Sequence, residues 1–142
     1  MPTRFANATW SGGLKTGKGN ISLESNVWSG PYDHRSRFEK GDYTNPEELL
    51  GAAHAGCFTM FVSALLEKNG TPATKVETKA DVTVLAGADG PTITEIVLTL
   101  VGEVPNITKE KFVEIAKEAK VKCPISKAVA SVSSIKLDIT LK

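Results

Sequence analysis

The longest apolar run in the chain is residues 45–69, NPEELLGAAHAGCFTMFVSALLEKN, and its apolar positions follow no single face. Leu49, Leu50, Ala52, Ala53, Ala55, Cys57, Phe58, Met60, Phe61, Val62, Ala64, Leu65 and Leu66 fall on every side of a helical wheel. The run opens with a helix start: Asn45 as cap, Pro46 in the first helical position, then Glu47 and Glu48 at the positive end of the dipole. Asn69 and Gly70 supply the stop, and Pro72 prevents a restart. The pattern predicts one long buried helix that something must cover on all sides.

A membrane span needs about 20 apolar residues, so that reading has to be weighed. Gly51, His54, Gly56, Thr59 and Ser63 interrupt the run, and Glu47, Glu48, Glu67 and Lys68 bound it closely. A helix packed inside a protein fits better. Small residues at Gly51, Ala52, Ala55 and Gly56 admit a close backbone, from the same core or from a second copy of the chain. The start, MPTRFANATW, has no apolar stretch of signal-peptide type, so the expected location is cytoplasmic, with no membrane partner.

Outside this helix the pattern alternates. Residues 4–12 and 18–25 read as short strands of a hairpin around Gly12, Gly13 and Gly17, with Trp10, Ile21 and Leu23 as apolar positions. Residues 27–42 are rich in Gly, Pro, Asp and aromatic residues, and 32–38 within them is a candidate third strand carrying Arg35 and Arg37. Val76, Thr78, Ala80, Val82 and Val84 alternate with polar residues as a half-buried strand. Ile96, Leu98 and Leu100 mark its hairpin partner across the turn at 87–91. Thr108 caps an amphipathic helix with Phe112, Ile115, Ala116 and Ala119 on its apolar side. Cys123 and Pro124 break that helix, a short helix over 125–130 follows, and Ile135, Leu137, Ile139 and Leu141 form a closing strand. The fold class expected is α+β with antiparallel sheets, in a single domain over residues 1–142.

Charge removes one class of partner. Seventeen Lys and Arg stand against sixteen Asp and Glu, which gives no electrostatic footing for nucleic acid. Two cysteines in a chain of this kind are redox-active, catalytic or inert rather than structural staples.

Cys57 lies in small, apolar surroundings, where burial raises a thiol's pKa and quiets it. A reactive Cys57 needs a cation. Arg37, in RSRFEKG, is a candidate because a guanidinium stays charged in a dry pocket, although a solvated surface arginine is the plainer reading. Cys123, just before Pro124, gains from the open amides of a helix start, so local electrostatics alone favours Cys123 as the more reactive thiol. His54 stands three residues before Cys57, a spacing that permits a Cys/His pair of hydrolase type, or simply a core histidine bonded to a carbonyl. His34, His54, Cys57 and Cys123 include no closely spaced ligand pair, so no metal site is expected.

Taken together, RFEKGDYTNPEELLGAAHAGCF, the later KCPIS and the opening WSGGLKTGKGNISLES resemble the OsmC/Ohr family of thiol peroxidases, in its OsmC (osmotically inducible protein C) branch. The resemblance covers nearly the whole chain. It departs at Gly56, where alanine is usual. It implies an OsmC-like fold, with intertwined homodimers whose long central helices lie together between sheets. It also implies a two-cysteine reduction of hydroperoxides, organic ones favoured, with no metal, haem or other cofactor. By the same resemblance Cys57 is the peroxidatic cysteine, Cys123 the resolving cysteine, Arg37 the activating arginine and Glu47 the carboxylate holding it, with Glu48 as the fallback. Cys57 as thiolate would attack the peroxide, become a sulfenic acid and condense with Cys123, and an external dithiol, a lipoyl or other thiol system, would reopen the disulfide. The rivals are a hydrolase acylated at Cys57 and a non-catalytic small-ligand-binding dimer.

Overall fold

The computed structural model describes residues 1–142. It divides into two compact units, Met1–Leu49 and Leu50–Lys142.

In the first unit the glycine-rich turn produces the expected hairpin. Strands β1 (Ala6–Ser11) and β2 (Lys18–Leu23) pair antiparallel, with Ala6 opposite Leu23 and Ser11 opposite Lys18. Strand β3 (Ser29–Tyr32) adds to the far side of β2, giving the order β1-β2-β3. The third strand is therefore earlier than 32–38, and Arg35–Arg37 is a 3-10 turn. Asp33 is the cause: its carboxylate accepts from the Ser36 amide at 2.8 Å while its carbonyl accepts from Ser36 Oγ at 2.7 Å. These local bonds close the chain into a turn and compete with extension. Asn45 ties the next element to the same turn by donating from Nδ2 to Ser36 O at 2.9 Å.

This unit has little apolar core of its own. No fully buried apolar side chain comes from it, and Phe5, Leu14, Val27 and Phe38 are each more than half exposed.

Helix α1 (Pro46–Lys68) begins where the cap signal put it, with Asn45 Oδ1 accepting from the Glu48 amide at 2.7 Å. It ends with Gly70 at φ +78°, a left-handed stop that suits a residue without a Cβ. The helix has no break, so Glu47 and Cys57, ten residues apart, are separated by about 15 Å of axial rise.

In the second unit strands β4 (Lys75–Leu85) and β5 (Thr92–Glu103) form the expected antiparallel hairpin, with a register irregularity between Thr83 and Val84. Strand β6 (Ser134–Leu141) pairs with β5 in parallel, Ile96 opposite Ile135, which corrects the expectation of antiparallel sheets only. The reason lies in the connection. Helices α2 (Lys109–Lys122) and α3 (Pro124–Ala128) carry the chain back before it re-enters the sheet, and such a crossover returns a strand in the same direction.

Ile96, Leu98 and Leu100 of β5 are fully buried with Phe58, Val62 and Leu66 of α1 and Phe112, Ala116 and Ala119 of α2. The α1 backbone comes close to β4: a Cβ on Gly51 would stand 3.3 Å from Ala80 O. Thr59 Oγ1 donates to Thr78 Oγ1 at 2.7 Å across the same contact. The buried central helix is thus buried on one side only within a single chain. Gly51, His54, Phe58, Val62 and Leu66 face the core, whereas Ala52, Ala53, Gly56, Met60 and Ala64 are exposed.

Candidate active site

Sixty-six residues separate Cys57 and Cys123 in sequence, and the second unit brings their sulfurs to 2.8 Å. Cys57 sits mid-helix on α1 at the edge of its buried face and is half-buried; Cys123 is fully buried. The Cys123 position follows from its neighbours. Pro124 cannot continue α2 but suits the first turn of α3, so Cys123 becomes the joint that ends one helix and begins the next.

Both are free thiols. A disulfide has its sulfurs about 2.05 Å apart, so under about 1 Å of travel separates this pair from a bond. Burial and the hydrogen bond with Cys123 push the Cys57 thiol up, with the Ile125 amide opposing. Burial also pushes Cys123 up, but the bond with Cys57, the amide and hydroxyl of Ser126 and the amide of Ile125 outweigh it and hold that thiol below its ordinary value. At this distance the charge on one sulfur acts directly on the other. Within the pair the amides favour charge on Cys123, as the helix-start argument expected.

Arg37 and Glu47 form the other pair, within the first unit. Arg37 directs Nε at 3.1 Å, and Nη2 as well, to Oε1 of Glu47. The carboxylate is buried, and its Oε2 has no partner. The bond to Glu47 raises the pKa of the guanidinium, against the effect of burial. Glu48, the alternative carboxylate, is exposed and accepts from Thr44 Oγ1 at 2.9 Å instead.

His54 is fully buried on the core face of α1, and its Nε2 lies 2.7 Å from Ser126 Oγ. The partner is a hydroxyl, not the carbonyl a core histidine was expected to find. Burial alone lowers the His54 pKa, which keeps the ring neutral at neutral pH. Sequence reasoning missed Ser126, although it lies in the KCPIS segment that carries the resemblance. No cluster of three His, Cys, Asp or Glu side chains stands where it can hold a metal.

One half-buried and one fully buried thiol, close enough to form a disulfide, are the chemistry a thiol-dependent redox enzyme uses. The chain belongs to the OsmC-like protein family, whose pattern matches residues 39–138. Peroxiredoxin OsmC of Escherichia coli (strain K12) is 43% identical over 136 residues, covering 95% of this chain and 94% of that protein. Among solved structures, an organic hydroperoxide resistance protein from Elizabethkingia anophelis superposes with a TM-score of 0.79 at 21% identity, over 99% of each chain. The organic hydroperoxide resistance protein OsmC from Legionella pneumophila gives 0.74, also at 21% identity, over 99% of this chain and 98% of that one. These two share the fold. The family and the Escherichia coli relative make this chain a peroxidase.

Proposed function

We propose that the chain reduces organic hydroperoxides to alcohols through a Cys57 sulfenate and a Cys57 to Cys123 disulfide, as part of oxidative-stress defence in the cytoplasm. The observation that carries this reading is the 2.8 Å approach of two thiols from distant parts of the sequence. The Cys57 thiolate attacks one peroxide oxygen, and the alkoxide leaves and takes up a proton. Cys123 then displaces water from the sulfenic acid, and an external dithiol returns both sulfurs to thiols.

Cys57 is the attacking sulfur in this reading because it is the half-buried one, open to a substrate that a fully buried Cys123 cannot meet. Its raised pKa calls for a cation, and the family resemblance assigns that role to Arg37, with Glu47 fixing the guanidinium. Arg37 stabilises the thiolate and the departing oxygen.

The active species is a homodimer. A helix whose exposed side is Ala52, Ala53, Gly56, Met60 and Ala64 calls for a second copy to cover it. So do the open apolar side chains of the first unit. Because Glu47 and Cys57 are separated along an unbroken helix, we assign each pocket an Arg37 and Glu47 supplied by the partner copy.

The test is a count of free thiols before and after one equivalent of cumene hydroperoxide. Loss of two thiols per chain is expected, and an unchanged count would sink the reading. tert-Butyl or cumene hydroperoxide should be consumed faster than hydrogen peroxide, and the opposite order would mean a polar cleft.

A further inference from the structure

His54 takes no part in the chemistry above, yet it is fully enclosed on the core face of α1, and its Nε2 lies 2.7 Å from Ser126 Oγ. Cys57 follows His54 by three residues, which puts the two on one side of the helix. Across from them Cys123 precedes Ser126 by the same three residues. The contacts therefore come as neighbours: Cys57 to Cys123 at 2.8 Å, and His54 to Ser126 beside it.

The far side of this frame moves as one piece. The Cys123 amide donates to Ala119 O at 2.9 Å, and the Cys123 carbonyl accepts from the Lys127 amide at 3.1 Å, so the residue is fixed to the end of α2 and the start of α3 together. Ser126 belongs to that short helix and is itself buried. Whatever holds Ser126 against α1 thus holds Cys123 there too. The thiols do not hold themselves, because S–H is a weak donor and sulfur a weak acceptor. A nitrogen-to-hydroxyl bond out of water is the firmer tie. Burial keeps the ring neutral, and with Nε2–H donating to Ser126 Oγ the unpartnered Nδ1 is only a lone pair.

We propose that the His54–Ser126 hydrogen bond is a latch that keeps Cys123 seated on Cys57 while the disulfide is unmade, and so decides whether an oxidised Cys57 is resolved or oxidised again. The inference rests on the two-cysteine reading above. Once Cys57 is a sulfenic acid the thiol-to-thiol contact is gone, and the latch remains. In resolution the Cys123 sulfur bonds to Cys57 Sγ, the S–O bond breaks, and the departing hydroxide takes the Cys123 proton and leaves as water. In the competing step an electron pair of the Cys57 sulfur takes an oxygen from a second hydroperoxide. The O–O bond breaks and the alkoxide takes the sulfenic proton, leaving a sulfinate and an alcohol. A Cys123 that drifts off its seat loses ground to that step. His54 and Ser126 are positioning residues in this scheme.

The test uses the full chain, equilibrated with oxidised and reduced dithiothreitol, so that its first arm needs no peroxide. Ser126→Ala alone strands a buried ring, so the double variant His54→Leu/Ser126→Ala, which replaces both partners by apolar groups, is measured beside it. Either should shift the thiol–disulfide equilibrium toward the thiols by about fivefold, the weight of one net hydrogen bond. A serine that only supports the fold weighs on both redox forms alike and leaves that equilibrium in place. His54→Gln, which returns an N–H, should stay closer to the native chain than His54→Leu. In the second arm excess cumene hydroperoxide is added without reductant, and mass spectrometry gives the ratio of Cys57 sulfinate to disulfide, which should rise in the double variant. An equilibrium or a ratio unchanged in the double variant overturns the latch. A shifted equilibrium in a chain whose native form makes no disulfide with peroxide would overturn the peroxidase reading instead and leave the seating of Cys123 standing.

Discussion

Arg37 places two nitrogens on one oxygen of Glu47, and the other oxygen of that buried carboxylate has no partner. The arginine is thus the sole side-chain partner of a buried charge. Arg37→Ala should cost about 1–3 kcal/mol of stability, because the carboxylate left behind is desolvated and unpaired. Arg35, which pairs with the exposed Glu39, is the control, and Arg35→Ala should leave the unfolding midpoint essentially unchanged. Urea unfolding of the two variants makes the comparison, and equal losses would contradict the account of Glu47.

The two cysteines should separate cleanly. Cys57→Ser abolishes peroxide consumption, whereas Cys123→Ser allows one oxidation and then stalls without cycling on a dithiol. Dimedone trapping of the sulfenate is the measurement. A sulfenate trapped on Cys57→Ser but not on Cys123→Ser would reverse the roles.

Arg37→Ala should also move the pH dependence of Cys57 alkylation upward and slow peroxide attack, in both respects more than His54→Ala. Burial already raises this thiol, and in the proposed pocket the Arg37 charge opposes that rise beside the Ile125 amide, so its removal should lift the thiol further. Equal or reversed effects would favour the Cys57/His54 hydrolase pairing.

Stability should fall on acidification through His54. Its folded pKa is depressed by burial, so the unfolded chain binds the proton more readily. The contribution is fully present above the unfolded value of about 6.5 and is lost as pH falls from there through the folded value. Thermal midpoints measured between neutral and mildly acidic pH should drop more steeply in the native chain than in His54→Gln. Parallel slopes would show that His54 titrates freely.

Sedimentation equilibrium at micromolar concentration should give a dimer. Mixing Cys57→Ser with Arg37→Ala chains under exchange conditions should then restore some activity, because one pocket of the mixed dimer has every group. A monomer removes the premise, and a dimer whose Cys57, Arg37 and Glu47 come from one chain removes the shared pocket.

Local signals in the sequence mark the elements whose bounds depend on local physics. Asn45, Pro46 and Gly70 bounded α1, Thr108 began α2, and strict alternation marked β4 and β5. Residues 32–38 suit a strand by their aromatic positions, while the Asp33–Ser36 bonds that make Arg35–Arg37 a 3-10 turn depend on a turn already formed. The direction of β6 was not legible, since alternation gives a strand's faces and says nothing of its partner. Glu47 over Glu48 came from the resemblance alone, and the structure gives it a physical form: one buried against Arg37, the other in solvent. The His54 to Ser126 contact spans 72 residues, beyond any spacing rule.

The parallel pairing of β6 with β5 has a consequence for the nascent chain. Non-local closures of this kind are slow, because the loop entropy must be overcome before the strand contacts form. Cys123 lies in that loop, on the far side of α2 from β5. Until the crossover closes, the two thiols are ordinary cysteines that do not meet. The close approach of the two sulfurs thus belongs to the closed crossover, and a chain whose β6 has not yet docked holds Cys57 and Cys123 apart.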